Sequence, residues 1–395
     1  MIKKIDRRSW LKSGALLTTG LALSPSMLSA KSKTAPNKVF SPKQLLDPSE
    51  LTFAEAEIDL PPMKARLTSN ENPFGPSEKA KEALKDAIDT SFRYGSKYKR
   101  EFIKMIAEKE GVTPDHILLG AGSSELLSAA SMYYTYQTKG SILAPDLTYE
   151  SLIRTATAHG GKCERVPLTD DLDIDLDAMR SKASSSNNLV YLCNPNNPTG
   201  KTMNASKLVS FCESVGKKTP IFIDEAYIDY VDNPEPNSMI QCVKKGYNVM
   251  VARTFSKLHA FAGLRIGYLV ALPSTIANIS IFGSRGGTIS ATSCAAAMAS
   301  YEDGEYFKYS REMNTKSKDY LYKTLDKMGY DYIKSATNFV FFPISMDGKE
   351  FRTKMAMEQV GVKYWKFRDQ NYCRVSIGTM DDMKLFTKAF KKVVA

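Results

Sequence analysis

Between residues 117 and 272 the chain alternates short, unbroken apolar runs with polar stretches of helical length. The runs occupy 117–119 before Gly120, 141–144 before Pro145, 189–193 before Asn194, 221–223 before Asp224, 248–252 and 266–272. A strand wetted on one face alternates apolar with polar residues; these runs do not alternate. They predict an α/β fold, a mainly parallel sheet covered by helices on both faces. Ligands of such sheets collect at the carboxyl ends of the strands, and the candidate chemical groups are expected to follow strands. Segment 78–88 has helical spacing, with Ser77 placed to cap it. From about 285 the rhythm changes. A helical pattern over 295–328, interrupted near Gly304, precedes strands at 337–342 and 374–377 with a helix near 351–360 between them. The pattern divides the chain into a large domain over 76–284 and a smaller α+β domain over 285–395, completed by an arm over 33–75.

The first 32 residues stand apart. A basic stretch with Lys3, Lys4, Arg7, Arg8 and Lys12 leads into a short, moderately apolar segment, the pattern of an export signal. Arg7-Arg8-Ser9-Trp10-Leu11-Lys12 resembles a twin-arginine signal, although Asp6 and Trp10 depart from its commonest residues. An amphipathic N-terminal helix of a cytoplasmic protein is the alternative. The apolar segment is short for a membrane span, and cleavage near Ala30 would leave an exported, periplasmic protein with no stable membrane association. An enzyme taking this route would fold around its cofactor before leaving the cytoplasm.

Composition changes the picture little. Of 395 residues, 43% are hydrophobic and 25% charged, which suits a globular chain of this length. The net charge of +11 is partly concentrated in the leader. No basic run interleaved with aromatics marks a nucleic-acid site. Cysteines 163, 193, 212, 242, 294 and 373 are far apart and without CxxC pairs, and read as buried thiols rather than a disulfide or metal framework.

The candidate chemistry centres on Lys257, between an apolar run and a Gly-containing segment. An amine held among apolar neighbours has its charged form disfavoured, so its pKa falls and it can attack an aldehyde. Most lysines are solvated surface charges; its company distinguishes this one. Pyridoxal phosphate requires an imine-forming lysine, an acid partner for its pyridine nitrogen, donors to its phenolic oxygen and a phosphate cradle. Asp224, after an apolar run, is placed to be the acid, with a turn or capping aspartate as the bland alternative. Asn197, in the turn-rich Asn-Pro-Asn-Asn-Pro-Thr-Gly loop (194–200), and Tyr227 offer donors to the phenolic oxygen. Gly120-Ala-Gly-Ser-Ser-Glu125 stands between a run and a helical stretch, where free N–H groups would bind phosphate. Ser256 and Arg265 would complete the cradle, the arginine through a bidentate contact.

These residues belong to an ordered series. Asn-Glu-Asn-Pro (70–73), Gly-x-Gly-Ser-x-Glu (120–125), the loop 194–200, Asp-Glu-Ala-Tyr (224–227), Arg-Thr-Phe-Ser-Lys (253–257), Ala-Gly-Leu-Arg-Ile-Gly-Tyr (262–268) and Arg-Val-Ser-Ile-Gly (374–378) follow one another. The series resembles the class I/II aminotransferases, pyridoxal-phosphate enzymes of fold type I, and within them the histidinol-phosphate aminotransferase branch, over roughly 60–390. The resemblance implies that Lys257 is the Schiff-base lysine and proton shuttle, with Asp224 at the pyridine nitrogen and Asn197 and Tyr227 at the phenolic oxygen. It implies Gly122, Ser123, Ser124, Ser256 and Arg265 around the phosphate and Tyr149 stacked on the ring. It further implies a homodimer in which Tyr94 reaches the neighbouring subunit's phosphate, although Gly95-Ser96 replaces the family's usual following residues. Arg374 would take the substrate α-carboxylate, with Asn70 and Asn197 beside it.

Where the branch carries an arginine for the substrate phosphate, this chain has Trp365 or Lys366, and Arg368 lies close by. The expected activity is therefore amino transfer from a non-phosphorylated, aromatic or apolar L-amino acid to a 2-oxo acid. The alternatives are a lyase, racemase, decarboxylase or deaminase on the same fold, and a non-catalytic cofactor-binding sensor.

Overall fold

A computed structural model of the chain describes residues 61–136, 140–184 and 186–395. The leader and most of the arm expected from the sequence lie outside these residues. Twelve strands are described: β1 (Ala65–Arg66), β2 (Ile117–Gly120), β3 (Ser141–Pro145), β4 (Lys162–Val166), β5 (Asn187–Cys193), β6 (Ile221–Asp224), β7 (Val249–Thr254), β8 (Gly267–Val270), β9 (Phe339–Ile344), β10 (Val360–Gly361), β11 (Lys363–Phe367) and β12 (Gln370–Ser376).

Seven strands form the central sheet in the order β2-β8-β7-β6-β5-β3-β4. All pairs are parallel except those made by β8, which runs antiparallel to β7 and β2. The absence of alternation in the sequence has a direct cause. Val190, Leu192, Ile221, Ile223, Val249 and Val251 enter the core on one face, and Leu189, Tyr191, Phe222, Met250 and Ala252 enter the core on the other. Each of these side chains is 1% exposed or less. The edge strand β4 was not visible as an apolar run, because exposed Lys162 and Glu164 alternate with half-buried Cys163 and Arg165. Its Cys163 is half-buried while the other five cysteines are buried, and all six are free thiols.

Helix Glu78–Asp86 begins where expected, Ser77 accepting a hydrogen bond from Ala80 N. The long C-terminal helical pattern is two helices, Ala291–Tyr301 and Gly304–Lys327, with Asp303 capping the second. Helix Ala291–Tyr301, which the sequence rhythm places in the smaller domain, instead buries Cys294, Ala296, Ala297 and Tyr301 in the core of the large sheet beside Phe102 and Ile106. The separate C-terminal core gathers Leu321, Leu325, Val340, Phe342, Phe351, Val375, Phe386 and Phe390 around the antiparallel sheet β11-β12-β9. Ala65 and Leu67 join it, with β1 paired to β10. A further apolar cluster joins the two layers, Leu147, Leu168 and Leu172 meeting Phe341, Trp365 and Phe367.

Candidate active site

A cavity of about 300 Å³ opens at the carboxyl edge of the central sheet. Residues 123–124 reach it from the start of helix Ser123–Tyr136 after β2, Tyr149 after β3, Asn197 after β5, Asp224 as the last residue of β6, and Ser256 and Lys257 after β7. Two groups break the expectation that each follows a strand. Arg374 lies inside β12, and Arg265 precedes β8. The antiparallel direction of β8 explains Arg265: Gly267 pairs with Thr254 and with Gly120, so the beginning of β8 lies at the edge where its neighbours end.

Lys257 Nζ donates to Ser69 O at 2.9 Å and lies 5.6 Å from the centre of the Tyr227 ring. Burial, and after it the Arg374 guanidinium, pulls its amine down to about 7. Asp224 is 1% exposed. Its Oδ1 accepts from Ala226 N at 3.1 Å, and burial pushes its carboxyl up to about 7 against the opposing pull of Lys257. Behind it Glu225 accepts from Met239 N at 2.7 Å and Ser238 Oγ at 2.8 Å. Arg253 bridges Glu225 and Glu110 at 3.2 and 2.9 Å. Glu225 and Arg253 lie inside the sequence motifs but were given no role there. They tie the ends of β6 and β7 together and so fix the direction from which Asp224 enters the cavity.

The remaining side chains form one network. Arg374 Nη1 donates to Asn197 Oδ1 at 2.7 Å, and its guanidinium lies over Trp365 and Phe339 at 4.9 and 5.4 Å. Because a guanidinium only donates, this bond sets the Asn197 amide with Nδ2 toward the Tyr227 hydroxyl at 3.4 Å. Asn70 Nδ2 donates to the same hydroxyl at 2.9 Å, while Asn70 N donates to Ser376 Oγ at 2.8 Å. Arg265 donates to Ser256 Oγ at 3.3 Å, Ala121 O at 3.2 Å and Ala262 O at 3.1 Å. Tyr94 is 92% exposed and does not line the cavity of its own chain. The glycine after it has a packing reason, since a Cβ at Gly95 would come within 2.9 Å of Ala291 Cα.

Lys363 and Trp365 also line the cavity, and Lys363 was not singled out by sequence reasoning. The signal was present: in Lys-Tyr-Trp-Lys-Phe every second residue shares a face, and β11 pairs Lys363 with Arg374. Lys366 and Arg368 are outside the cavity. Lys366 is exposed and 3.9 Å from Asp369, and Arg368 donates to the carbonyls of Leu168 and Thr169.

Residues 62–390 match the family Aminotransferase class I and II. The chain belongs to that family. A histidinol-phosphate aminotransferase of Moorella thermoacetica is 34% identical over 84% of this chain and 85% of its own. One of Caldicellulosiruptor saccharolyticus is 32% identical over 83% and 91%. Among solved structures, histidinol-phosphate aminotransferase of Sinorhizobium meliloti in complex with pyridoxal 5′-phosphate superposes with a TM-score of 0.77 at 25% identity, covering 93% of this chain and 98% of that one. The protein is thus a pyridoxal-phosphate-dependent aminotransferase of fold type I.

The residues of the cavity fit that cofactor. Gly122, at φ 78°, leaves the space that a Cβ would fill, only 2.5 Å from Arg265 Nη2, and a Cβ at Gly267 would come within 2.9 Å of Ser123 N. Backbone N–H groups, the Ser256 hydroxyl and a guanidinium therefore converge around an opening suited to a phosphate. A Gly122→Ala variant is expected to bind pyridoxal phosphate about tenfold more weakly or worse, measured by titrating the cofactor-free protein and following absorbance. Wild-type affinity would remove this loop from the phosphate site.

Proposed function

We propose that the enzyme transfers the amino group of a non-phosphorylated, aromatic or apolar L-amino acid to a 2-oxo acid. The observation that carries this reading is Trp365. It forms cavity wall in the segment where the branch carries a phosphate-holding arginine, and it is stacked on Arg374. Lys366 and Arg368, the two cations that the sequence offered in place of such an arginine, are engaged outside the cavity, and Lys363 is the cation of this strand that lines it.

Bound pyridoxal phosphate supplies an aldehyde carbon to take the amino group and a pyridine ring to withdraw electrons. Lys257, with an amine near 7, is suited both to release and to accept a proton at the substrate α-carbon at neutral pH. Asp224 keeps a proton at the pyridine nitrogen. Asn197 Nδ2 and the Tyr227 hydroxyl hold the phenolic oxygen, with Asn70 steadying the tyrosine. Ser123, Ser124, Ser256 and Arg265 would hold the phosphate around Gly122, and Tyr149 would stack on the ring. Arg374, pinned between two aromatic rings and oriented by Asn197, receives the α-carboxylate.

The same reading extends to assembly and place. Exposed Phe92 and Tyr94, 77% and 92% accessible, support a homodimer in which Tyr94 enters the partner's phosphate site. The twin-arginine-like leader supports export to the periplasm.

Steady-state rates with histidinol phosphate and with a panel of free L-amino acids test the substrate. An aromatic or apolar amino acid is expected to exceed histidinol phosphate in kcat/KM, and Trp365→Arg to move the ratio toward the phosphate by roughly tenfold or more. A wild-type enzyme that turns over histidinol phosphate far faster than any free amino acid would falsify the reading.

A further inference from the structure

Glu125 closes the motif Gly120-Ala-Gly-Ser-Ser-Glu125 and lies in the first turn of helix Ser123–Tyr136, yet it does not line the cavity. A carboxylate set behind a phosphate site is an unexpected choice, since two anions repel each other. Its hydrogen bonds show what it does there. Oε2 accepts from Ala121 N at 2.7 Å and from Thr288 Oγ1 at 3.2 Å. Oε1 accepts from Ser284 N at 2.8 Å and from Ser284 Oγ at 2.5 Å. Burial raises the pKa of this half-buried carboxyl, but the donors from Ser284 and Ala121 outweigh burial and hold it below the usual carboxylate range. At neutral pH the group is a carboxylate whose acceptor sites are taken up behind the loop.

These bonds join segments 159 positions apart. On one side is the turn that carries Gly122. Glu125 holds the Ala121 N–H, Arg265 Nη2 donates to the Ala121 carbonyl at 3.2 Å, and Gly122 N donates to Gly120 O at 2.8 Å. Ala121 is thus gripped at both of its polar backbone groups, and the N–H groups of the first helical turn, at Ser123 and Ser124, are left to the cavity that these residues line. On the other side, segment 284–288 has an anchor of its own, Lys99 Nζ donating to Gly286 O at 3.1 Å. The turn is therefore tied to a held segment that lies outside every motif of the sequence.

We propose that Glu125 is a positioning residue for the cofactor phosphate: it clamps the Gly120–Gly122 turn to segment 284–288 and so aims the N–H groups of the first helical turn without touching the cofactor. This role rests on the phosphate cradle assigned above. Donors fixed in advance bind an anion without a further ordering cost, and a turn released from its clamp loses that advantage.

The test is the binding of pyridoxal phosphate and of pyridoxal, which lacks the phosphate, to the cofactor-free protein, followed by absorbance. Glu125→Gln keeps the shape of the side chain but turns one acceptor end into an NH2 group facing other donors. Its Kd for pyridoxal phosphate is expected to rise by about 10- to 100-fold, while that for pyridoxal stays within about twofold of wild type. A double variant, Ser284→Ala with Thr288→Val, leaves the carboxylate and removes two of its hydroxyl donors. It is expected to show the same selective loss, by about threefold or more, and it carries the test should the glutamine variant not fold. An equal loss for both ligands overturns the proposal, because it marks a general disturbance of the cavity. Wild-type affinity for pyridoxal phosphate overturns it as well. The Gly122→Ala titration then separates the causes: a loss there leaves the phosphate cradle standing and removes only the role of Glu125, whereas no loss removes the cradle itself.

Discussion

Replacing Lys257 by alanine is expected to leave a folded protein whose amino transfer falls by more than about 10⁴-fold. Two separate contributions disappear together. In the proposed reaction the amine whose pKa burial has lowered to about 7 both forms the covalent link to the cofactor aldehyde and takes the substrate α-carbon proton. Folding should not suffer, and near neutral pH the cofactor-free variant should be more stable than wild type, because it removes an amine whose charged form is costly in the folded state. A half-buried ammonium held by one carbonyl contact, Ser69 O, adds little net stability. Thermal unfolding of the cofactor-free variant separates the two effects. A variant retaining more than about one per cent of wild-type turnover would mean that another group moves the proton.

Asp224→Asn should produce opposite effects on stability and activity. The folded carboxyl stands near 7 while the unfolded one keeps the ordinary value of 3.8. Between those values the folded state holds a proton that the unfolded chain has released. Its contribution to stability is therefore present below 3.8 and is lost as pH rises toward 7. Lys257 acts in the opposite sense. Its folded amine near 7 lies below the unfolded 10.5, so its contribution is present above 10.5 and is lost as pH falls toward 7. From these two groups, the cofactor-free protein has its least stability near neutral pH. The asparagine variant removes the first contribution. Relative to wild type it should gain stability between pH 5 and pH 8, by at most on the order of 4 kcal/mol. Its activity should fall by about 10²- to 10³-fold, because a neutral amide no longer keeps the pyridine nitrogen protonated. Denaturant titrations of both cofactor-free proteins at the two pH values decide the first half. A pH-independent difference would mean that Asp224 titrates normally. Initial rates decide the second half.

The coupling of these predictions reflects how the site is built. Asp224 ends β6 and Lys257 follows the adjacent parallel strand β7, so the sheet holds both at one edge. Each lowers the cost of the other's charge.

Much of this was legible in the residues. Short apolar runs without alternation, each bounded by turn residues, read as strands covered on both faces, and Leu189 to Cys193 and Ile221 to Ile223 divide their side chains between two cores as expected. The turn formers of 194–200, the Ser77 cap and the glycines at 120 and 122 follow from local backbone requirements, so short windows reveal them. The two short pairing strands β1 and β10 and the polar edge β4 were not visible, since two residues carry no period and an edge strand shows a wetted face. Helix Ala291–Tyr301 was placed with the wrong core for a related reason: it is rich in small residues, and nothing in its pattern says which sheet they pack against.

The sequence by itself therefore determined which chemical groups exist, their order along the chain and the kind of sheet that carries them. Tertiary structure alone decided which of them meet. Asn70 reaches Ser376 across 306 positions, and Arg374 reaches Asn197 across 177. Arg265 arrives at the cavity edge of the sheet only because β8 runs antiparallel, and Lys363 faces the cavity only because β11 pairs with β12 in the register that sets it opposite Arg374. Strand direction and register are fixed by hydrogen bonds and packing between segments far apart in the chain, where a shift of one residue would turn Lys363 and Trp365 to the other face. Local periodicity carries no record of those long-range pairings.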